Sequence, residues 1–354
     1  MSSKTRIFKI ETGYDDIIKK AGAIIREGGT VAFPTETVYG LGADALNPDA
    51  VRRIFEAKAR PPDNPLIVHI SSKEQLHDLV RDIPERAFDL VDVFWPGPLT
   101  MIFKRKEIVP DVTTGGLDTV AVRMPDNPIA LLLIEEAGTP IAAPSANRSG
   151  MPSPTTAQHV IADLDGRIDA VIDGGPAKIG VESTVVDMTS EIPVILRPGG
   201  MGIAEIRDVI GEVTIGYPDK SLERGEVARS PGMKYTHYSP ETRMVLVAGS
   251  ISTVVDRIRE FVSDYHGRGM RVGLLVTEET AEHIIADEIF ILGRRDDIAL
   301  VASNLFAGLR YLDGRCVDVI IADGSMRDDG IGAAVQNRLR KAADEEFTNR
   351  WMKR

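Results

Sequence analysis

Four residues in the stretch KARPPDNPLIVHI have the chemistry of an anion site: Lys58, Arg60, Asn64 and His69. Pro61 and Pro62 force the chain out of a helix, because each lacks an N–H and each restricts its predecessor. Two cations therefore stand at a helix end, beside the strand that carries His69. The same pattern serves an ordinary helix C-terminus, where Lys and Arg complement the dipole. Further polar groups sit at comparable places. Thr35 and Thr37 follow a strand in PTETVYGLGADA, where the plain alternative is a turn with self-satisfied hydroxyls. Ser145, Asn147, Ser149 and Ser153 crowd the loop APSANRSGMPSP, which suits an oxyanion or phosphate and equally suits a surface loop. Arg123 in TVAVRMP and Arg197 in VILRPGG lie inside apolar runs, and arginine is rarely buried without a partner. Arginine forks match carboxylate and phosphate oxygens, so these cations together suggest a convergent pocket.

Several familiar chemistries are excluded. Gly40-x-Gly42-x-x-Ala45 approaches the dinucleotide fingerprint, but Thr35-Glu36-Thr37 intervene after the strand and the next helix begins only near Pro48. GGPAKIGVEST lacks the lysine of a phosphate-binding P-loop, since Val181-Glu182 follow Gly180. No G-x-S-x-G elbow is present, and neither His69 nor His237 has metal-ligand spacing to another His or Cys.

The elements that must position these residues follow from periodicity and punctuation. Gly28-Gly29 ends a helical DDIIKKAGAIIRE run, and Asn47-Pro48 supplies a cap and first-turn proline for the helix ending near Lys58. Ser72 and Gln75 have capping-box spacing before EQLHDLV. PERAFDLVDVFW and NPIALLLIEEAG are helical; TVAFPT, PLIVHI, LTMIFKR, TVAVRMP, TPIAAPSA, DAVIDGG, STVVDM and IPVILRPG are strands. A mixed sheet with helices packed on it is expected. After a weakly patterned stretch ending in VARSPGMKYTHYSP, four strand–helix alternations predict a second, parallel sheet, with helices at ISTVVDRIREFVSDYHGRG, EETAEHIIADE, DDIALVASNLFAGLRYLDGR and GIGAAVQNRLRKAADEEF. The 354 residues suit about two domains.

Net charge is −11, which disfavours general binding to nucleic acid phosphates. One cysteine, Cys316, cannot form an internal disulfide, and MSSKTRIFKIETG carries no apolar leader, so the chain reads as cytosolic.

In this order, PTETVYGLGADA, KARPPDNPLIVHI, WPGPLT, TVAVRMP, APSANRSG, GVESTVVD and LRPGG resemble the YrdC-like family, and the added SPGMKYTHYSP and C-terminal domain resemble its two-domain threonylcarbamoyl-AMP synthase form. The resemblance implies an α/β catalytic domain over 14–204 with a twisted mixed sheet around a basic cavity, a linker over 205–240, and a Rossmann-like α/β domain over 241–345. It implies synthesis of threonylcarbamoyl-AMP and pyrophosphate from L-threonine, bicarbonate or carbon dioxide, and ATP with magnesium. Separate transferase proteins would then modify tRNA, so tRNA contact would be weak or indirect. By this resemblance Lys58 and Arg60 neutralise the phosphates and carry the catalysis. Asn64, Thr119, Ser145, Ser153, Arg197 and Tyr238 complete the ATP site. Thr35, His69, Arg123, Ala143 and Ser183 hold threonine, with Arg123 on its carboxylate. The linker would lie over the cavity as a lid that excludes water. An RNA-binding module, or an adenylate former acting on another amine, are the competing readings.

Overall fold

The computed structural model describes residues 4–10, 14–216 and 238–348. The chain divides into two compact units. The first is 1–149, 153–178 and 182–235, and the second is 150–152, 179–181 and 236–354. Of the linker expected over 205–240, the first residues belong to helix Ile203–Ile210 and Thr214–Ile215 forms a strand, while 217–237, with His237 and most of the expected covering segment, lies outside the described residues. No helix among the described residues is long and apolar enough to cross a membrane.

In the first unit twelve described strands form one mixed sheet. Their order is Arg6–Lys9, Ala170–Asp173, Val31–Phe33, Gly40–Asp44, Ile141–Ala142, Ile67–His69, Thr119–Arg123, Leu99–Arg105, Thr184–Asp187, Val194–Arg197 and Thr214–Ile215, with Val80–Arg81 pairing onto Leu99–Arg105. Gly40–Asp44, to which the sequence reading assigned no element, is a strand that runs antiparallel to Val31–Phe33. That pairing confirms that this glycine segment is not a dinucleotide loop.

Helix Pro48–Lys58 begins as its sequence dictates. Asn47 accepts hydrogen bonds from the backbone N–H groups of Asp49 and Ala50, and Pro48 occupies the first turn. It ends at Ala59, which adopts the left-handed conformation (φ 50°) before the proline pair. One cap differs from expectation. Gln75 accepts from the N–H groups of Ser71 and Ser72, but Glu74 is the N-cap and the helix is only Gln75–Leu79.

Register decides which side chains share a face. Directly paired residues project the same way, and alternate residues follow them. His69 pairs with Arg123, Ile67 and Ile102 both pair with Ala121, and Val185 pairs with Thr100 and Arg197. One face therefore carries His69, Thr119, Arg123, Thr100 and Ser183 around a small apolar floor of Ile67, Ile102, Ala121, Val185 and Leu196, and Arg197 is set opposite Val185 by an irregularity in register between Val185 and Val186. The opposite face sends Val68, Val122, Met101, Phe103 and Val186 into the main core.

The second unit holds a five-stranded, wholly parallel sheet ordered Glu288–Ile291, Val272–Val276, Val319–Gly324, Met244–Ala248 and Glu345–Phe347. Two details differ from the sequence reading. EETAEHIIADE forms a helix only over Glu278–Ala281, and the final helix stops at Ala342 so that Glu345–Phe347 can add a fifth strand.

Candidate active site

The polar groups of the first unit fall into three connected clusters. The first is built around Arg123, at the end of Thr119–Arg123. Arg123 is 3% exposed; its Nε donates to Gly97 O (3.2 Å) and Nη1 to Thr37 Oγ1 (3.0 Å). Nη2 lies 2.6 Å from Glu36 Oε1. Thr35 supports this arrangement from the neighbouring turn. Its Oγ1 lies 2.8 Å from Thr37 Oγ1, donates to Val38 O (2.6 Å), and accepts from the N–H groups of Thr37 and Val38. His69 is buried beside Arg123 and meets Phe33 edge-on. Burial, reinforced by the Arg123 charge, pushes its pKa down to about 3, so the imidazole is neutral. His69 Nδ1 has no hydrogen-bond partner. Ala143 lies in the adjoining stretch, its N–H donating to Ile67 O (2.9 Å).

The second cluster joins Arg197, Ser183 and Thr100. Arg197 donates through Nε and Nη2 to Ser183 O (3.1 and 2.9 Å) and through Nη2 to Ser183 Oγ (3.1 Å). That hydroxyl lies 2.7 Å from Thr100 Oγ1. Ser153 donates to the buried Glu182, the residue before Ser183.

Lys58 organises the third. Its side chain is buried, and Nζ donates to the carbonyls of Ser145 and Asn147, each at 2.5 Å. Ser145 Oγ donates to Asn147 Oδ1 (2.5 Å). The ammonium is thus capped by the loop of the APSANRSG motif. Arg60 is half-buried and folds back toward the carbonyls of Asn64 and Pro65 (3.4 Å each). Asn64 is fully buried, yet neither side-chain amide atom has a hydrogen bond. A buried amide left so costs about 1–3 kcal/mol, unless a ligand completes it.

Thr119 and Arg123 project from the same strand face, separated by four residues, or about 13 Å. Thr119 therefore marks the opposite end of the strand from the Arg123 cluster. Tyr238 belongs to the second unit, where its ring stacks on Phe306 (5.4 Å) beneath the Arg338 guanidinium (5.2 Å). Thr37 is legible in the sequence, with Thr35, as a polar group after a strand, whereas Glu36, Thr100 and Glu182 take part without having been singled out from it. Their only sequence signal is a polar residue directly flanking a buried strand, or standing within one. A surface cavity of about 570 Å³ lined by Asp82, Arg86, Lys104 and Glu191 contains none of the expected site residues. Among the described residues no group of three or more His, Cys, Asp or Glu side chains is arranged to hold a metal ion.

The fold and these clusters define a class: a two-unit α/β protein whose mixed sheet presents buried cations and hydroxyls on one face. Comparison with known proteins makes the class specific. A family model described as "Telomere recombination", of the Sua5, YciO and YrdC group, matches residues 23–199. One described as "Threonylcarbamoyl-AMP synthase, C-terminal domain" matches 201–344. The threonylcarbamoyl-AMP synthase of Pyrococcus abyssi is 53% identical over 326 residues, covering 92% of this chain and 94% of its own. That of Bacillus subtilis is 52% identical over 331 residues, covering 93% of each. The crystal structure of P. abyssi Sua5 complexed with L-threonine superposes with a TM-score of 0.92 at 50% identity, covering 97% of this chain and all of that one. This chain belongs to the threonylcarbamoyl-AMP synthase family in its two-domain form.

Proposed function

We propose that the chain makes L-threonylcarbamoyl-AMP and pyrophosphate from L-threonine, bicarbonate or carbon dioxide, and ATP, for threonylcarbamoyladenosine modification of tRNA. The observation that carries this reading is the Arg123 cluster. A buried guanidinium fixed by Gly97 and Thr37, with a neutral imidazole and a threonine hydroxyl alongside, is built to receive a small carboxylate. The P. abyssi relative, solved with L-threonine, supports the choice of amino acid.

In this reading Arg123 takes the threonine carboxylate. Thr35, His69, Ser183 and the Ala143 backbone surround the rest of the molecule. The amine is converted to a carbamate, one oxygen of which attacks the α-phosphorus of ATP while pyrophosphate leaves. Two anions must meet, so fixed positive charge and alignment supply most of the catalysis, and no covalent nucleophile is needed. Lys58 and Arg60 offset the phosphate charge; the triphosphate takes over the Lys58 ammonium from the Ser145 and Asn147 carbonyls. Asn64, whose amide lacks partners, gains them from the nucleotide. Thr119, Ser145, Ser153 and Arg197 complete the nucleotide contacts. Magnesium enters with ATP as part of the substrate. The product passes to separate transferase proteins. Incubating the full chain with ATP, magnesium, threonine and bicarbonate should yield a threonylcarbamoyl adenylate detectable by mass. An aminoacyl adenylate in its place would sink the reading.

A further inference from the structure

Glu36 holds chemistry that the roles above leave unused. Its carboxylate is 5% exposed and lies 2.6 Å from Arg123 Nη2, yet neither of its oxygens completes an aligned hydrogen bond, and Nη2 does not either. An ionised carboxylate offers about four acceptor positions, and leaving them unfilled in a buried site is costly. The turn that carries it is not loose, because Thr35 Oγ1 ties the backbone of Thr37 and Val38 on its far side. Arg123 is likewise pinned through Nε and Nη1. The ionisable groups gathered here are thus Glu36, Arg123 and His69, the last held neutral by burial and by Arg123.

Resting on the threonine reading, the reaction creates a need at this place. Threonine arrives as an ammonium, which has no lone pair with which to attack carbon. Written with bicarbonate, R–NH₃⁺ + HCO₃⁻ gives R–NH–COO⁻ + H₂O + H⁺. Nitrogen must lose a proton before its lone pair forms the new C–N bond, and the oxygen displaced from bicarbonate departs as water. With the α-carboxylate on Arg123, the ammonium sits one carbon away, next to the carboxylate that touches the same guanidinium. We infer that Glu36 binds the substrate ammonium and accepts its proton, so that Arg123 and Glu36 together read both charges of the amino acid. His69 does not suit this step, since its protonated form is strongly disfavoured. Geometry first, then proton affinity, is the order in which a general base is recognised.

The test compares L-threonine with 3-hydroxybutyrate, which keeps the carboxylate and hydroxyl but lacks the amine, by calorimetric titration of the full chain. Wild-type protein should bind threonine roughly tenfold or more tightly than the analogue, as expected for a charged hydrogen bond. Glu36→Gln should abolish that preference, and Glu36→Asp, which keeps the charge, should retain it. Threonine-dependent pyrophosphate release by Glu36→Gln should also recover as the pH is raised toward the amine's own pKa, where solvent supplies the free base; a merely misfolded site would not recover. A folded Glu36→Gln protein that keeps the wild-type preference overturns the inference. Wild-type protein that binds both ligands equally overturns it while the threonine reading stands, and this comparison decides even where the variant fails to fold. Wild-type protein that binds neither overturns both.

Discussion

Buried charge at single residues sets the strongest expectations. Below pH 6.5 the unfolded chain protonates His69, whereas the folded chain resists until about pH 3. The unfolded state then binds more protons, so stability is complete above pH 6.5 and falls as the pH drops through that window. The contribution is at most about 1.4 kcal/mol per pH unit. Urea denaturation at pH 7 and pH 5 should show a shallower loss for His69→Gln than for the wild type; equal losses would place the acid sensitivity elsewhere. Arg123→Lys keeps the charge but loses the fork, and at a bidentate site that is not conservative. It should raise the KM for threonine by roughly tenfold to a hundredfold with a smaller change in the KM for ATP. Steady-state kinetics with each substrate varied separately would check it. Arg123 and Arg197 were legible as unusual, being cations inside apolar runs. Glu36 and Thr100 were not, because their partners Arg123 and Ser183 lie 87 and 83 residues away and only register brings them together.

At the scale of elements, punctuation in the sequence was reliable and marginal segments were not. Asn47-Pro48 and the proline pair fix both ends of helix Pro48–Lys58 by local rules, so its cations were correctly placed at a helix end. The helix Glu278–Ala281 and strand Glu345–Phe347 are too short for periodicity to identify, and their limits come from packing in the parallel sheet. Gly199, in the LRPGG motif, shows a close approach that sequence pattern alone does not explain. A Cβ there would meet the backbone of Glu182, Ser183 and Thr184 at 2.3 Å. Gly199→Ala must push apart the stretches carrying Arg197 and Ser183. It should cost about 1–3 kcal/mol of stability, as overpacking does, and depress threonine turnover as well. Chemical denaturation together with turnover would test this, and a variant of unchanged stability would show that the backbone yields freely.

Across the whole molecule, the two units have separate apolar cores, and the cationic site residues Lys58, Arg60, Arg123 and Arg197 all fall in the first. Units with their own cores are able to unfold as separate cooperative blocks. Calorimetry should therefore give a total enthalpy larger than the van't Hoff value. Threonine should raise the transition of the first unit, because a ligand stabilises the state it binds. A single two-state transition would contradict this. The alternation of strands and helices made the parallel second unit legible, whereas the strand order of the mixed sheet, set by long-range pairing, was not. In the proposed reaction, carbon from bicarbonate is joined to threonine and the product is activated with ATP. The most direct measurement supplies ¹³C-bicarbonate with ATP, magnesium and threonine, follows pyrophosphate release, and weighs the adenylate. Release should require both threonine and bicarbonate, and the adenylate should be heavier by the label. Release that persists without bicarbonate, with an unlabelled adenylate, would contradict it.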